Sequence, residues 1–218
     1  MKNHPVPPGR TLLARGKHLD FLSVNGWEYV TRTGIDGIVL IVPVTDEGAL
    51  VLVEQRRPPV DRPVIELPAG LSGDEEGGKG ELLEETARRE LLEEAGFVAA
   101  TMEKLVEGPP SPGVTDEIVT FFLARGLVKR HAGGGVGGEE IIVHEVPLAS
   151  AEEWLASRMR GGDFVDVKVW AGIYFARGAG SRPAAAGARD VRPRAPRLPQ
   201  EGPKGTASPS SRERRPPR

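Results

Sequence analysis

Apolar and β-branched residues fall into short runs over most of the chain. FLSVNGWEYVTR (21–32), GIVLIVPV (37–44) and ALVLVEQRR (49–57) predict strands, with TDEG (45–48) as the turn between the last two. VIELPAG (64–70) predicts a shorter strand that ends in Pro and Gly. IVTFFLARGL (118–127) and EIIVHEVPL (140–148) predict further strands, separated by the Gly-rich loop HAGGGVGGE. Before residue 150 one long helical pattern stands out, ELLEETARRELLEEA (81–95), free of Gly and Pro and stopped by Gly96. SAEEWLASRM (150–159) begins like a capped helix, with Ser150 and Glu153 in capping-box spacing. FVDVKVWAGIYFAR (164–177) predicts a last helix docked on the sheet. Strands dominate and no regular βαβ alternation appears. The expected class is therefore α+β, or a mixed sheet sandwiched between helices, rather than a doubly wound parallel sheet.

The pattern also sets the organisation. Residues 1–17 read as a loose, Pro-containing arm and residues 18–177 as one globular body. From 178 onward Pro, Arg, Ala, Gly and Ser replace large apolar residues, which predicts a disordered tail over 178–218. No internal repeat is present. A chain of 218 residues suits one domain with a full core. Its 39% hydrophobic and 28% charged residues are those of an ordinary soluble protein. No run is long enough to span a membrane, and the first residues lack the apolar core of a secretory signal. Cysteine is absent, which excludes disulfides, thiolate metal sites and a thiol nucleophile, and a cytoplasmic location is expected. Charge changes the picture more. Residues 177–218 hold eleven Arg or Lys against three Asp or Glu, a net of +8, so the body carries −10 of the overall −2. A body of that sign does not attract a phosphate ligand by its overall field; metal ions or local arginines must do so.

The long helix carries the candidate chemistry. At about 100° per residue, Leu83, Ala87 and Leu91 form an apolar stripe, and Glu90 and Glu94 fall at its edge, with Glu93 beside them. Glutamates on a helix ordinarily just solvate a surface. Here like charges repel at i, i+4 spacing near a core boundary, a placement that a divalent cation would relieve. Oxygen donors without cysteine point to a hard ion, Mg²⁺ or Mn²⁺.

From Glu81 onward the chain resembles the Nudix hydrolase family, whose box reads G-x5-E-x7-R-E-U-x-E-E-x-G-U with U bulky and apolar. Glu81, Arg89, Glu90, Leu91, Glu93, Glu94, Gly96 and Phe97 match it. The departure lies upstream: the glycine expected six residues before Glu81 is Glu75, and the natural candidate, Gly70, stands eleven before it. The loop is thus five residues longer than the pattern, a cheap change in an exposed Gly-rich segment.

The resemblance covers roughly residues 20–177 and is most similar to the ADP-ribose pyrophosphatase branch, in VEQRR, VIELPAGL, Ser111-Pro112-Gly113, GGEEIIVHEV and WEYVTR. It implies a Nudix α/β/α sandwich with a mixed sheet plus an N-terminal antiparallel strand region. It further implies that Glu90, Glu93 and Glu94 bind metal with the carbonyl of Ala69, and that Glu139 positions or deprotonates water. Arg57 would hold phosphate, Glu66 would contact the nucleotide, Ser111, Pro112 and Gly113 would contact the substrate, and Trp27 would pack on the base, often across a homodimer interface. Glu81 and Arg89 would brace the helix. The implied reaction is hydrolysis of ADP-ribose to AMP and ribose 5-phosphate; another nucleotide sugar or a dinucleotide (GDP-mannose, UDP-glucose, NADH) and a non-catalytic sensing domain are the alternatives.

Plainer readings stand beside these roles. Trp27 in a strand also suits a core, Arg57 a surface, and Ser111-Pro112-Gly113 an ordinary turn. Glu140 rivals Glu139. His144 reads as structural, and Trp154 and Trp170 as helix-packing residues. No membrane partner is expected, and nucleic acid only through the basic tail.

Overall fold

A computed structural model of the chain describes residues 5–73 and 80–178. The tail expected over 178–218, apart from Gly178, which ends the last helix, and most of the lengthened loop therefore lie outside the described residues. Those described belong to one compact unit.

Eleven strands and three helices are described. β1 (Thr11–Arg15), β2 (Leu19–Val24) and β3 (Trp27–Arg32) form an antiparallel meander. The run 21–32, expected as one strand, folds back at Asn25-Gly26, both at positive φ (52° and 80°), as a two-residue hairpin turn requires. Thr11–Arg15, expected in a loose arm, pairs instead with β2, and Arg15 adds an ion pair to the buried Asp20.

Two four-stranded sheets make the body. The first has the order β7 (Ala69–Ser72), β4 (Gly37–Pro43), β9 (Val119–Lys129), β8 (Phe97–Gly108). The second has the order β10 (Ile142–Pro147), β5 (Ala49–Arg57), β6 (Arg62–Glu66), β11 (Phe164–Val165). Both are mixed: β4 runs parallel to β9 and β11 parallel to β6, while the other pairs are antiparallel. β8 was not anticipated; it is a long strand with several exposed charged residues, drawn in by its pairing with β9.

The continuous apolar runs of β4 and β5 are explained by burial on both faces. Val39, Ile41, Val51 and Val53 pack against Ala87, Leu91 and Ala95 of α1 (Leu83–Ala95). The alternate residues Leu40, Val42, Leu50 and Leu52 pack against Leu155 of α2 (Ala151–Gly161) and Val169 and Ile173 of α3 (Val167–Gly178). Helices thus cover both faces, the expected α/β/α sandwich.

Smaller differences have local causes. Ser150 begins α2 without a side-chain cap; its hydroxyl donates to the carbonyl of Pro147. The last predicted helix starts three residues late because Phe164 and Val165 pair with β6. Trp154 packs at the edge of the core and against His144, whereas Trp170 is partly exposed. Among the described residues no helix is long and apolar enough to cross a membrane.

Candidate functional site

The site is organised by the C-terminal half of α1. Burial of Ala87, Leu91 and Ala95 fixes the helix's rotation, and Glu94 follows them to 6% exposure. Its carboxylate accepts the N–H of Ala69 at 3.0 Å, which ties β7 to α1. Burial pushes the Glu94 carboxyl up to about 8; the Ala69 N–H and Arg57 pull it down, while Glu90 and Glu139 push it further up.

Glu90 lies against β7 at Gly70. A Cβ on Gly70 would stand 1.9 Å from the Glu90 carboxyl carbon, so glycine is the residue that lets this carboxylate lie across the strand. Gly70, eleven residues before Glu81, therefore occupies the close-approach position even though the intervening loop is long.

Arg89 lies among Glu90 (2.9 Å), Glu93 (3.1 Å) and Glu81 (3.5 Å) and donates to the carbonyl of Leu71 at 3.3 Å. Burial works against its charge, but Glu90, Glu81 and Glu93 together hold its guanidinium above its ordinary value. Glu81 also accepts from the buried Thr86 hydroxyl and, through its carbonyl, from Ser72. Gly96 ends α1 at φ 77°, and a Cβ there would meet the carbonyl oxygen of His131 at 2.2 Å.

The Gly-rich loop is fastened to this helix end. Gly134 N–H donates to the Glu94 carbonyl (2.9 Å) and Gly135 N–H to the Glu93 carbonyl (3.1 Å), satisfying carbonyls that a helix C-terminus leaves open. A Cβ on Gly133 would lie 2.4 Å from the Glu94 carbonyl oxygen, and one on Gly135 would lie 2.5 Å from the Glu139 carboxylate. The loop thereby brings Glu139 to the site, with its carboxylate accepting the N–H of Val136.

These groups open on a cleft of about 420 Å³. Ile38, Leu40, Val119 and Leu67 give it an apolar floor; Glu90, Glu94, Ala69 and Gly70 line one region together with Glu139, and Glu140 does not reach it. Arg57 and Glu66 line it as an ion pair at 2.8 Å. Burial raises the Glu66 carboxyl above its ordinary value against the opposing pull of Arg57. Three contributors were not anticipated: the Arg32–Glu117 pair (2.8 Å), Gln55, and the Asp166–Lys168 pair. Arg32 and Glu117 lie 85 residues apart, and no local pattern marks either.

Other expected residues lie outside the cleft lining. Glu93 is turned to Arg89. Ser111, Pro112 and Gly113 are exposed, and the neighbouring Pro110 lines the cleft in their place. Trp27 is 62% exposed, which removes the core reading, and its indole N–H donates to the Gly113 carbonyl at 3.2 Å. With the Val30–Thr115 bridge and Arg32–Glu117, this contact joins β3 to the 111–117 loop.

The donor chemistry fits a hard divalent cation: carboxylate and carbonyl oxygens, a cradle at Gly70, and a carboxyl whose ionisation is held back first by burial and then by Glu90 and Glu139. Among the described residues no three acidic or histidine side chains form a ready-made cage, because Arg89 engages Glu93 and Ala69 engages Glu94.

Comparison with known proteins agrees with this geometry. The "ADP-ribose pyrophosphatase" of Bacillus subtilis (strain 168) is 40% identical over 123 residues, 56% of this chain and 64% of that protein. The "Methanol dehydrogenase activator" of Bacillus methanolicus is 35% identical over 123 residues, with the same shares. The match thus spans somewhat under two thirds of either relative's length. A solved structure described as an ADP compounds hydrolase superposes with a TM-score of 0.60, covering 81% of this chain and 94% of that one at 22% identity, a likeness of fold. The family profile described as NUDIX domain matches residues 36–163, more than half of the chain. On that match, which contains α1, the Gly-rich loop and most of the cleft, the chain belongs to the NUDIX family.

Proposed function

We propose that this chain is a Mg²⁺- or Mn²⁺-dependent hydrolase that cuts the diphosphate of a nucleoside diphosphate joined to another group, with ADP-ribose, split to AMP and ribose 5-phosphate, as the leading substrate. The observation that carries the reading is the meeting of Glu90, Glu94 and Glu139 in one cleft with Arg57. The family and the named ADP-ribose pyrophosphatase relative support it.

In this reading Glu90, Glu93 and Glu94, with the Ala69 carbonyl, hold the cation, and Glu93 leaves Arg89 to do so. Once bound, the cation supplies charge neutralisation for the diphosphate oxygens, which an acidic body otherwise repels. Arg57, oriented by Glu66, adds positive charge to the same cleft. Glu139 takes a proton from the attacking water as its oxygen adds in line to phosphorus and the bridging oxygen departs. Glu66 contacts the nucleotide. Trp27, exposed and edged by the Ser111-Pro112-Gly113 turn, packs on the base, in a homodimer against the partner's substrate. Glu81 and Arg89 brace the helix.

A second reading keeps the chemistry and changes the nucleotide. None of the described cleft-lining residues is aromatic, so the cleft itself offers no stacking surface that selects adenine. GDP-mannose, UDP-glucose and NADH are the alternatives to compare. The test is a hydrolysis panel of these compounds and ADP-ribose with Mg²⁺, run beside Glu94→Gln. ADP-ribose turning over fastest, with the variant nearly inactive, supports both chemistry and substrate. Another compound leading moves the substrate. No Mg²⁺-dependent turnover of any compound overturns the hydrolase reading.

A further inference from the structure

One wall of the cleft comes from beyond residue 163, where the NUDIX match ends. β11 pairs parallel to β6 with Val165 opposite Ile65, and the Asp166 N–H donates to the Ile65 carbonyl at 2.9 Å. That pairing sets Asp166 beside Glu66. One Asp166 oxygen accepts the Lys168 backbone N–H at 2.8 Å, and the other accepts the Lys168 ammonium. Both side chains are partly buried, at 17% and 30% exposure, so the pair is a fixed part of the wall.

With the Arg57–Glu66 pair, these residues form a row of four charges that sums to zero: Arg57, Glu66, Asp166, Lys168. Arg57, Asp166 and Lys168 all act on the Glu66 carboxyl, and Arg57 also acts on Glu94. The Asp166–Lys168 pair adjoins Glu66 at the wall that β6 and β11 build. Three kinds of group are candidates for that space. A phosphate would face two carboxylates. A base would find no ring to stack on among the described lining residues. A neutral group rich in hydroxyls fits: carboxylate oxygens accept from its O–H groups, and the ammonium donates to its oxygens.

We propose that Asp166 and Lys168 determine specificity by binding the hydroxyls of the sugar that the substrate's diphosphate carries. This deepens the hydrolase reading and rests on it for the identity of the reacting group. The free pair neutralises itself, so a partner without hydroxyls gains nothing from displacing the water around it. A sugar replaces that water with hydrogen bonds to charged groups, the kind of contact that discriminates strongly between ligands that make it and ligands that lack it.

The test compares the wild type, Asp166→Asn and Lys168→Met on two substrates with Mg²⁺: ADP-ribose, and the β-methyl ester of ADP, which keeps the diphosphate and lacks distal hydroxyls. Asp166→Asn retains an oxygen to accept the Lys168 N–H, and Lys168→Met leaves that bond untouched; thermal melting confirms that both fold. Each variant is expected to raise KM for ADP-ribose about tenfold, with kcat changed less than about threefold, and to leave kcat/KM for the methyl ester within about twofold. Equal losses on both substrates, or no loss on either, overturn the proposal. If the wild type cleaves neither substrate, the hydrolase reading fails separately. Calorimetric titration of ADP-ribose into the same three proteins then decides the sugar contact: weaker binding by the variants supports it, and equal binding, or none by any of the three, overturns it.

Discussion

The Glu90 carboxyl fills the space that a side chain on Gly70 would need, 1.9 Å from where its Cβ would stand. Gly70 has no positive φ, so an alanine there meets no backbone strain, only the carboxylate. Gly70→Ala should therefore cost about 1–3 kcal/mol in stability through overpacking. It should also displace Glu90 and lower kcat by at least about tenfold, since a shift of about 1 Å at a reacting centre is expensive. Wild-type kcat in a folded Gly70→Ala protein would show that Glu90 has no fixed role.

The raised Glu94 carboxyl predicts how stability follows pH. Its folded value is about 8 against an ordinary 4.5, so folding favours the protonated form in the cation-free protein. The stability tied to that proton is fully present below the ordinary value and is lost as pH rises through the folded one. A divalent cation binds the ionised carboxylate and reverses the preference. The Tm of cation-free protein should fall as pH rises from about 4.5 to about 8, and the gain in Tm from saturating Mg²⁺ should grow over the same interval. Both trends should shrink in Glu94→Gln. A Mg²⁺-induced gain that does not change with pH would count against Glu94 as a ligand.

Gly133 connects the loop to the helix in a way that predicts a split between folding and catalysis. At φ 78°, with its Cβ position 2.4 Å from the Glu94 carbonyl oxygen, it has no room for alanine. Gly133→Ala should push the loop off α1 and draw Glu139 away, lowering kcat by about a hundredfold, in the range expected for loss of a general base. Chain segments far from the loop, read by hydrogen exchange across β2 and β3, should keep their protection. If kcat survives, Glu139 does not act on the water.

Gly96 should behave differently, because it lies at a helix end that the core depends on. Gly96→Ala combines a left-handed backbone with a contact of 2.2 Å to the His131 carbonyl oxygen. A loss of about 2 kcal/mol or more is expected, a fall in Tm of several degrees that calorimetry would register. A melting temperature equal to the wild type would mean that the loop relaxes freely around the helix end.

Trp27 is exposed and outside the core, so Trp27→Ala should change stability little while raising KM for ADP-ribose by about tenfold if its ring carries the base. Trp27→Phe keeps a ring and removes only the N–H to Gly113, so it should recover most of the affinity. Equal defects in the two variants would assign the residue to holding the 111–117 loop instead.

The parts of this protein that sequence made legible are those whose logic is local. The spacing of Leu83, Ala87 and Leu91 foretold which face of α1 is buried, and with it the placement of Glu90 and Glu94. The apolar runs of β4 and β5 marked both as strands, and burial on both faces explains why the runs are unbroken. Asn25-Gly26 carried a hairpin signal inside the run taken as one strand, and its turn chemistry outweighs the continuity of that run. β8 had no such signal, since Lys104, Glu103 and Glu107 interrupt any alternation, and only β9 makes it a strand. The Arg32–Glu117 and Asp166–Lys168 pairs were hidden for another reason. Each reaches the cleft through pairing between segments far apart in the chain, at β3 with the 111–117 loop and at β6 with β11.

The hydrogen bonds that fasten the Gly-rich loop to α1 are main-chain ones, from the N–H groups of Gly134 and Gly135 to the carbonyls of Glu94 and Glu93. Such hydrogen bonds carry no information about the side chains that flank their anchor points. Ala132 and Val136, both exposed, are therefore free to drift or be randomised while Glu139 keeps its place. A library built at these two positions would sample new loop surfaces beside an unchanged carboxylate cleft, and natural descendants of this chain have the same freedom to vary the rim of the cleft without rebuilding its carboxylates.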